Sequence, residues 1–116
     1  MVDAQERLVY ACAGCADVGE LADQVARKLR HDGSAMPSGC LTGVGAGLKP
    51  FIDASLAATE VVAVDGCPVK CAKLLLERAQ IPARSVVLTE FGLTKGKTSV
   101  TPTLVQEMAA KVAATF

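Results

Sequence analysis

The sequence predicts one α/β domain, a three-layer sandwich with about four mostly parallel strands. The length of 116 residues suits a single core. A hydrophobic fraction of 51% with only 21% charged residues favours a compact chain over a disordered one. Short β-branched runs alternate with amphipathic stretches of helical period, as in chains built from βαβ units. We therefore expect residues 1–116 to form one domain without an internal linker.

The first half of the chain predicts strand, helix, a weak strand and a second helix. Residues 8–12 form an apolar run that predicts the first strand. Asp17 is expected to cap a helix and to form a capping box with Glu20. Residues 35–39 could supply a short strand, although the proline within them cannot donate a hydrogen bond to a sheet. Pro50 is then expected to open the second helix.

The second half predicts the centre of the sheet. Residues 60–65 have a β-branched, nearly continuous apolar character, which is typical of a strand covered on both faces. Pro68 is expected to occupy the first position of a helix capped by Cys67. Residues 84–89 predict the last strand, and Pro102 begins the final helix. Right-handed crossovers between parallel strands then predict a Rossmann- or flavodoxin-like arrangement.

Composition excludes several classes of function. Lys+Arg and Asp+Glu both number 12, and three Phe, one Tyr and no Trp offer few stacking groups, so nucleic-acid binding is not expected. No apolar run approaches the ~20 residues of a membrane span, and the start lacks the order of a signal peptide. The sequence thus predicts a cytoplasmic protein without membrane contact. It names no partner or substrate, and it leaves enzymatic activity and self-association open.

The five cysteines are the main functional clue. In a reducing compartment, an odd number of cysteines favours metal or redox chemistry over a disulfide framework. Ligands of parallel sheets lie beyond the carboxyl ends of the strands. Four cysteines, Cys12, Cys15, Cys40 and Cys67, follow predicted strands, and Cys71 lies one helical turn further on. We therefore expect them to converge at one edge of the sheet.

The spacing of these cysteines favours zinc. Zinc prefers four thiolate or imidazole ligands, commonly supplied by pairs a few residues apart, such as Cys12 with Cys15 and Cys67 with Cys71. A thiolate at the start of a helix is stabilised by free N–H groups and the helix dipole. Asp65 is expected to accept N–H groups near the metal, and Gly66 to leave room beside it.

Three segments, residues 12–19, 39–43 and 64–73, together resemble the DGC-domain family of proposed zinc-binding proteins. The similarity extends over nearly the whole chain. It implies one zinc ion held by Cys12, Cys40, Cys67 and Cys71, with Cys15 as an additional thiol. The resemblance implies no biochemical activity, because none is established for the family.

Two other chemistries fit the same residues. Cys12 and Cys15, between a strand and a helix, are spaced as in a thioredoxin-like redox motif, which would cycle through a disulfide without metal. That hypothesis leaves the other three cysteines unused. An iron–sulfur cluster on the same thiolates is the third hypothesis, since four cysteines serve either cofactor. The metal itself could be structural, catalytic or carried.

Overall fold

Strands and helices alternate along the chain. The computed structural model describes residues 2–116. The longest helix has 15 residues, and no helix within the described residues is long and apolar enough to cross a bilayer. Two short 3₁₀ helices, Ala4–Glu6 and Leu88–Phe91, accompany the main elements. The main elements are β1 (Arg7–Ala11), α1 (Asp17–His31), α2 (Leu41–Gly45), α3 (Lys49–Ala57), β2 (Glu60–Asp65), α4 (Cys71–Arg78), β3 (Arg84–Val87) and α5 (Pro102–Ala113).

The three strands form one parallel sheet in the order β1-β2-β3. The predicted central strand is confirmed, with the boundaries that its apolar run indicated. Val9 of β1 pairs with Val62, and Val64 pairs with Val86 of β3. Because the strands are parallel, all their carboxyl ends lie at the same edge.

Helices cover both faces of the sheet, so the α/β class and the layered arrangement are confirmed. Successive strand residues point to opposite faces. On one face Val9 and Val62 pack against α1 and α5. On the other face Leu8 and Tyr10 pack against α2 and α4. The hydroxyl groups of Tyr10 and Ser55, 2.6 Å apart, tie α3 to this second face.

The expectation of about four strands is wrong, because the described residues form three. Residues 35–39 lie beside β1 but do not join the sheet. Met36 N–H donates to the Arg7 carbonyl at 2.8 Å. Pro37 has no N–H to continue a ladder, and Gly39 adopts a φ of +126°, which is incompatible with a strand. One hydrogen bond is too few to build a strand here.

The start of α1 also differs from the expectation. Asp17 is the first helical residue rather than the cap, and its carboxylate accepts the distant N–H groups of Gly96 and Thr98. Glu20 accepts a hydrogen bond from Gln24 instead of completing a capping box. A long-range contact has replaced the local one.

The helix after β2 begins later than expected. It starts at Cys71, not at Pro68, and Cys67 does not cap it. The intervening residues form a turn in which Lys70 N–H donates to the Cys67 carbonyl at 3.1 Å. Lys70 adopts a left-handed φ of +57° immediately before the helix. The two cysteines therefore lie on a turn and on a helix start, respectively.

An ionic cluster closes the opposite, amino edge of the sheet. Glu60 accepts hydrogen bonds from Arg7 at 3.2 Å and from Arg84 at 3.0 Å. The Phe116 ring lies 4.1 Å from the guanidinium carbon of Arg7. Burial would raise the pKa of Glu60, but the two arginines outweigh it and lower that pKa. This cluster connects all three strands with the end of the chain.

Candidate functional site

A cavity of about 180 Å³ lies beyond the carboxyl ends of β1 and β2. Four of the five cysteines line it: Cys12, Cys15, Cys67 and Cys71. Cys12 and Cys67 are partly buried, whereas Cys15 and Cys71 are exposed. The parallel sheet therefore brings together two cysteine pairs that are more than 50 residues apart in sequence.

Cys40 lies outside this cavity. Its sulfur accepts the Gly43 N–H at 3.3 Å and thereby caps α2. The prediction placed Cys40 at a strand end, but the segment before it is not a strand. The reason for expecting Cys40 at the same edge is therefore missing, although its place as a ligand stays a prediction.

Hydrogen-bond donors approach two of the cavity sulfurs. Gly66 N–H donates to Cys12 Sγ at 3.4 Å, and Lys95 Nζ lies 3.6 Å from Cys67 Sγ. Donors of this kind compensate the negative charge of thiolate ligands. Sequence reasoning did not predict a role for Lys95, because it lies in a polar loop with no distinctive motif.

Asp65 fixes the helix that carries Cys71. Its carboxylate is 1% exposed and accepts the N–H of Ala72 at 2.8 Å and of Lys73 at 3.1 Å. Burial raises the pKa of Asp65, and the two N–H groups oppose that shift. The Asp65 carboxylate therefore accepts N–H groups at the start of α4, whereas its role beside a metal stays a prediction.

Gly66 and Gly19 allow two backbones to meet at the cavity. A methyl group on Gly66 would lie 2.3 Å from the Val18 carbonyl oxygen. One on Gly19 would lie 2.8 Å from the Gly14 carbonyl oxygen. Gly66 is thus required for the contact with the first turn of α1, and its place beside a metal stays a prediction. A glycine in the first turn of a predicted helix was the available signal for Gly19.

The loop that carries Lys95 is hydrogen-bonded to the start of α1. The Asp17 carboxylate accepts the N–H groups of Gly96 and Thr98, each at 2.9 Å. These hydrogen bonds lower the pKa of Asp17. Asp17 therefore holds the Lys95 ammonium group close to Cys67.

The cysteine sulfurs that line the cavity are suitable ligands for a soft cation, but the predicted four-cysteine site is not assembled. Within residues 2–116, no three His, Cys, Asp or Glu side chains lie close enough together to hold a metal ion. Thiolates are preferred ligands of zinc and of iron–sulfur clusters. Coordination would therefore require the cysteine loops to close around the ion.

Comparison with known proteins shows the family of this chain. The family model of the DGC domain matches residues 8–112. The "Anaerobic and virulence modulator AnvM" of Pseudomonas aeruginosa strain PAO1 is 37% identical over 89 residues, which cover 76% of this chain and 67% of that protein. No solved structure matches the chain. Because the family match covers most of the chain, the chain belongs to the DGC domain family.

Proposed function

We propose that this protein binds one zinc ion through cysteine thiolates at the carboxyl edge of its sheet. The observation that carries the proposal is the cavity lined by four cysteines. Zinc forms tetrahedral sites with sulfur ligands at about 2.3 Å, and pairs of cysteines commonly provide them. As part of this proposal we assign the chain to the Rossmann- and flavodoxin-like folds, whose ligands also lie beyond the strand ends.

The proposed ligands are Cys12, Cys40, Cys67 and Cys71. Hydrogen-bond donors at sulfur support three of them: Gly66 for Cys12, Gly43 for Cys40 and Lys95 for Cys67. Such donors typically accompany thiolates that bind metals. Cys15 lines the cavity and is the competing fourth ligand; among residues 2–116 its sulfur has no hydrogen-bond donor, and neither has that of Cys71.

Metal binding of this kind would change the conformation of the loops more than the core. Both core clusters pack without any cysteine as a fully buried member. The loops that carry Cys12 and Cys67 would have to close, and Cys40 would have to approach them. A site that forms on binding suits a sensor or carrier of metal, and the name of the relative from Pseudomonas aeruginosa describes that protein as a modulator. We propose a regulatory role on these grounds and assign no reaction.

Metal analysis tests the proposal. Protein purified under reducing conditions without added metal or chelator should be colourless and contain close to one zinc per chain. Absence of metal from such protein would refute the proposal. Visible absorption with stoichiometric iron would replace it with the iron–sulfur hypothesis.

A matched pair of variants tests the ligand set. Cys40→Ser should remove most of the zinc, and Cys15→Ser should leave the zinc content nearly unchanged. Cys71→Ser is the positive control, because Cys71 belongs to both candidate sets. Zinc retained in Cys40→Ser and lost in Cys15→Ser would show that the four cavity cysteines form the site instead.

A thiol redox function is the second candidate. Cys12 and Cys15 line the same cavity, and Cys15 is exposed to oxidants. The redox hypothesis predicts that mild oxidation forms a disulfide between them and that Cys15→Ser abolishes it. Thiol counts before and after oxidation, on metal-free protein, separate this candidate from zinc binding.

A further inference from the structure

A second cavity, of about 200 Å³, lies beside the loop that carries Cys12 and Cys15. Ala13 of this loop lines the second cavity, whereas its neighbours Cys12 and Gly14 line the cysteine cavity. Two arginines of α1, Arg27 and Arg30, form part of the wall of the second cavity. This cavity contains none of the proposed zinc ligands and therefore requires a separate explanation.

Arg30 is partly buried and makes few of the hydrogen bonds that its guanidinium could donate. One nitrogen, Nη2, donates to the Val9 carbonyl at 2.6 Å. Its Nε atom is buried and has no hydrogen-bond partner. Within residues 2–116, Arg30 forms no ion pair. An arginine offers five N–H donors in a planar fork, so most of this binding capacity is unused.

Arg30 covers the free edge of β1, but this role explains only part of the position of its guanidinium group. The hydrogen bond to Val9 satisfies one carbonyl of an edge strand. It leaves Nε without an acceptor, and among residues 2–116 no carboxylate lies close enough to form an ion pair with the guanidinium. Burial and the charge of Arg27 lower the pKa of Arg30, so the fold destabilises the charged form of this side chain.

The remaining charges of the cavity leave a positive excess. Asp23 also lines the cavity, but it accepts a hydrogen bond from Arg27 Nε at 3.0 Å. Two arginines and one carboxylate leave one positive charge in excess. The chain as a whole is neutral, with 12 basic and 12 acidic residues, so this excess is local. Thr42 adds a hydroxyl group to the same wall.

We propose that this second cavity binds a small oxyanion, a carboxylate or phosphate group, on the guanidinium groups of Arg30 and Arg27. The fork of an arginine matches both anions through paired hydrogen bonds. The cavity volume of about 200 Å³ is well above the ~10–15 Å³ needed to hold one water molecule, and it accommodates such a group. The bound anion would lie against Ala13, next to the proposed zinc ligand Cys12. The site does not depend on the zinc proposal.

Titration monitored by amide NMR tests the site in the protein as purified. Inorganic phosphate and acetate are added in separate experiments at constant ionic strength. We expect saturable shifts of the Ala13 and Thr42 amides with at least one of them, and the effective anion identifies the chemistry. Arg30→Lys and Arg27→Gln should each weaken binding about tenfold, as expected for loss of a charge-assisted hydrogen bond.

Arg78→Gln is the matched control, because Arg78 is an exposed helical arginine outside the cavity. Its binding should equal that of the unmodified protein. Linear, non-saturating shifts with both anions would overturn the proposal. Unchanged affinity in the folded Arg27 and Arg30 variants, or an equal loss in Arg78→Gln, would also overturn it. If Arg30→Lys does not fold, Arg27→Gln decides, because the Arg27 side chain is 72% exposed.

Discussion

Replacing Gly66 by alanine would place a methyl group inside the first turn of α1. The new carbon would lie 2.3 Å from the Val18 carbonyl oxygen and 2.9 Å from the Gly19 nitrogen. Ordinary contacts of carbon with backbone atoms require about 3.5 Å, so the two backbones would have to separate by roughly 1 Å. Both obstructing atoms belong to the backbone of a helix packed in the core, which cannot rotate away as a side chain would.

We expect Gly66→Ala to lower the free energy of unfolding by about 3 kcal/mol, the upper part of the usual range for overpacking. Urea denaturation followed by circular dichroism measures this change. Gly14→Ala is the control, because no atom lies within 4 Å of the corresponding position. Its effect should be within about 0.5 kcal/mol of zero.

The Gly66→Ala variant also tests whether the backbone contact supports the cysteine cavity. Gly66 N–H donates to Cys12 Sγ, so separation of the backbones should also displace Cys12 from Cys67. We expect folded Gly66→Ala protein to bind zinc more weakly. A stability equal to that of Gly14→Ala would refute the proposed role of Gly66 in this close contact.

Three further predictions concern other parts of the fold. Asp17→Asn should speed hydrogen exchange at the amides of Gly96 and Thr98, because the neutral side chain accepts their N–H groups less strongly. Since folding lowers the pKa of Asp17, the unmodified protein should show the same faster exchange as the pH falls below about 4, and should not show it above that pH. Glu60→Gln should destabilise the protein by about 2 kcal/mol in urea denaturation, since it removes the charge that accepts the hydrogen bonds of Arg7 and Arg84; an effect near zero would contradict this role. Verified zinc removal by a chelator should lower the melting temperature while the α/β circular dichroism spectrum persists, and an unchanged melting temperature would show that metal and fold are not coupled.

Local patterns in the sequence were sufficient for the class of the fold and for the position of four of the five cysteines at one edge of the sheet. Residues 60–65 form the central strand because their nearly continuous apolar side chains are buried only if helices cover both faces of the sheet. Pro102 begins α5 because its missing N–H needs no partner there. Cys12 and Cys67 line the same cavity because both follow parallel strands, and parallel strands end at one edge. The family followed from motifs that are contiguous in the chain.

Only the tertiary structure decided which segments that are distant in sequence come into contact. Residues 35–39 have an extended pattern, but whether they join a sheet depends on their N–H groups meeting β1, and Pro37 and Gly39 prevent it. The contact of Gly66 with Val18 joins positions 48 residues apart and leaves no mark in local periodicity. The isolation of Cys40 from the cavity and the unpaired buried nitrogen of Arg30 are likewise properties of the packed chain. Sequence indicates which chemical groups are present, whereas packing determines which of them meet.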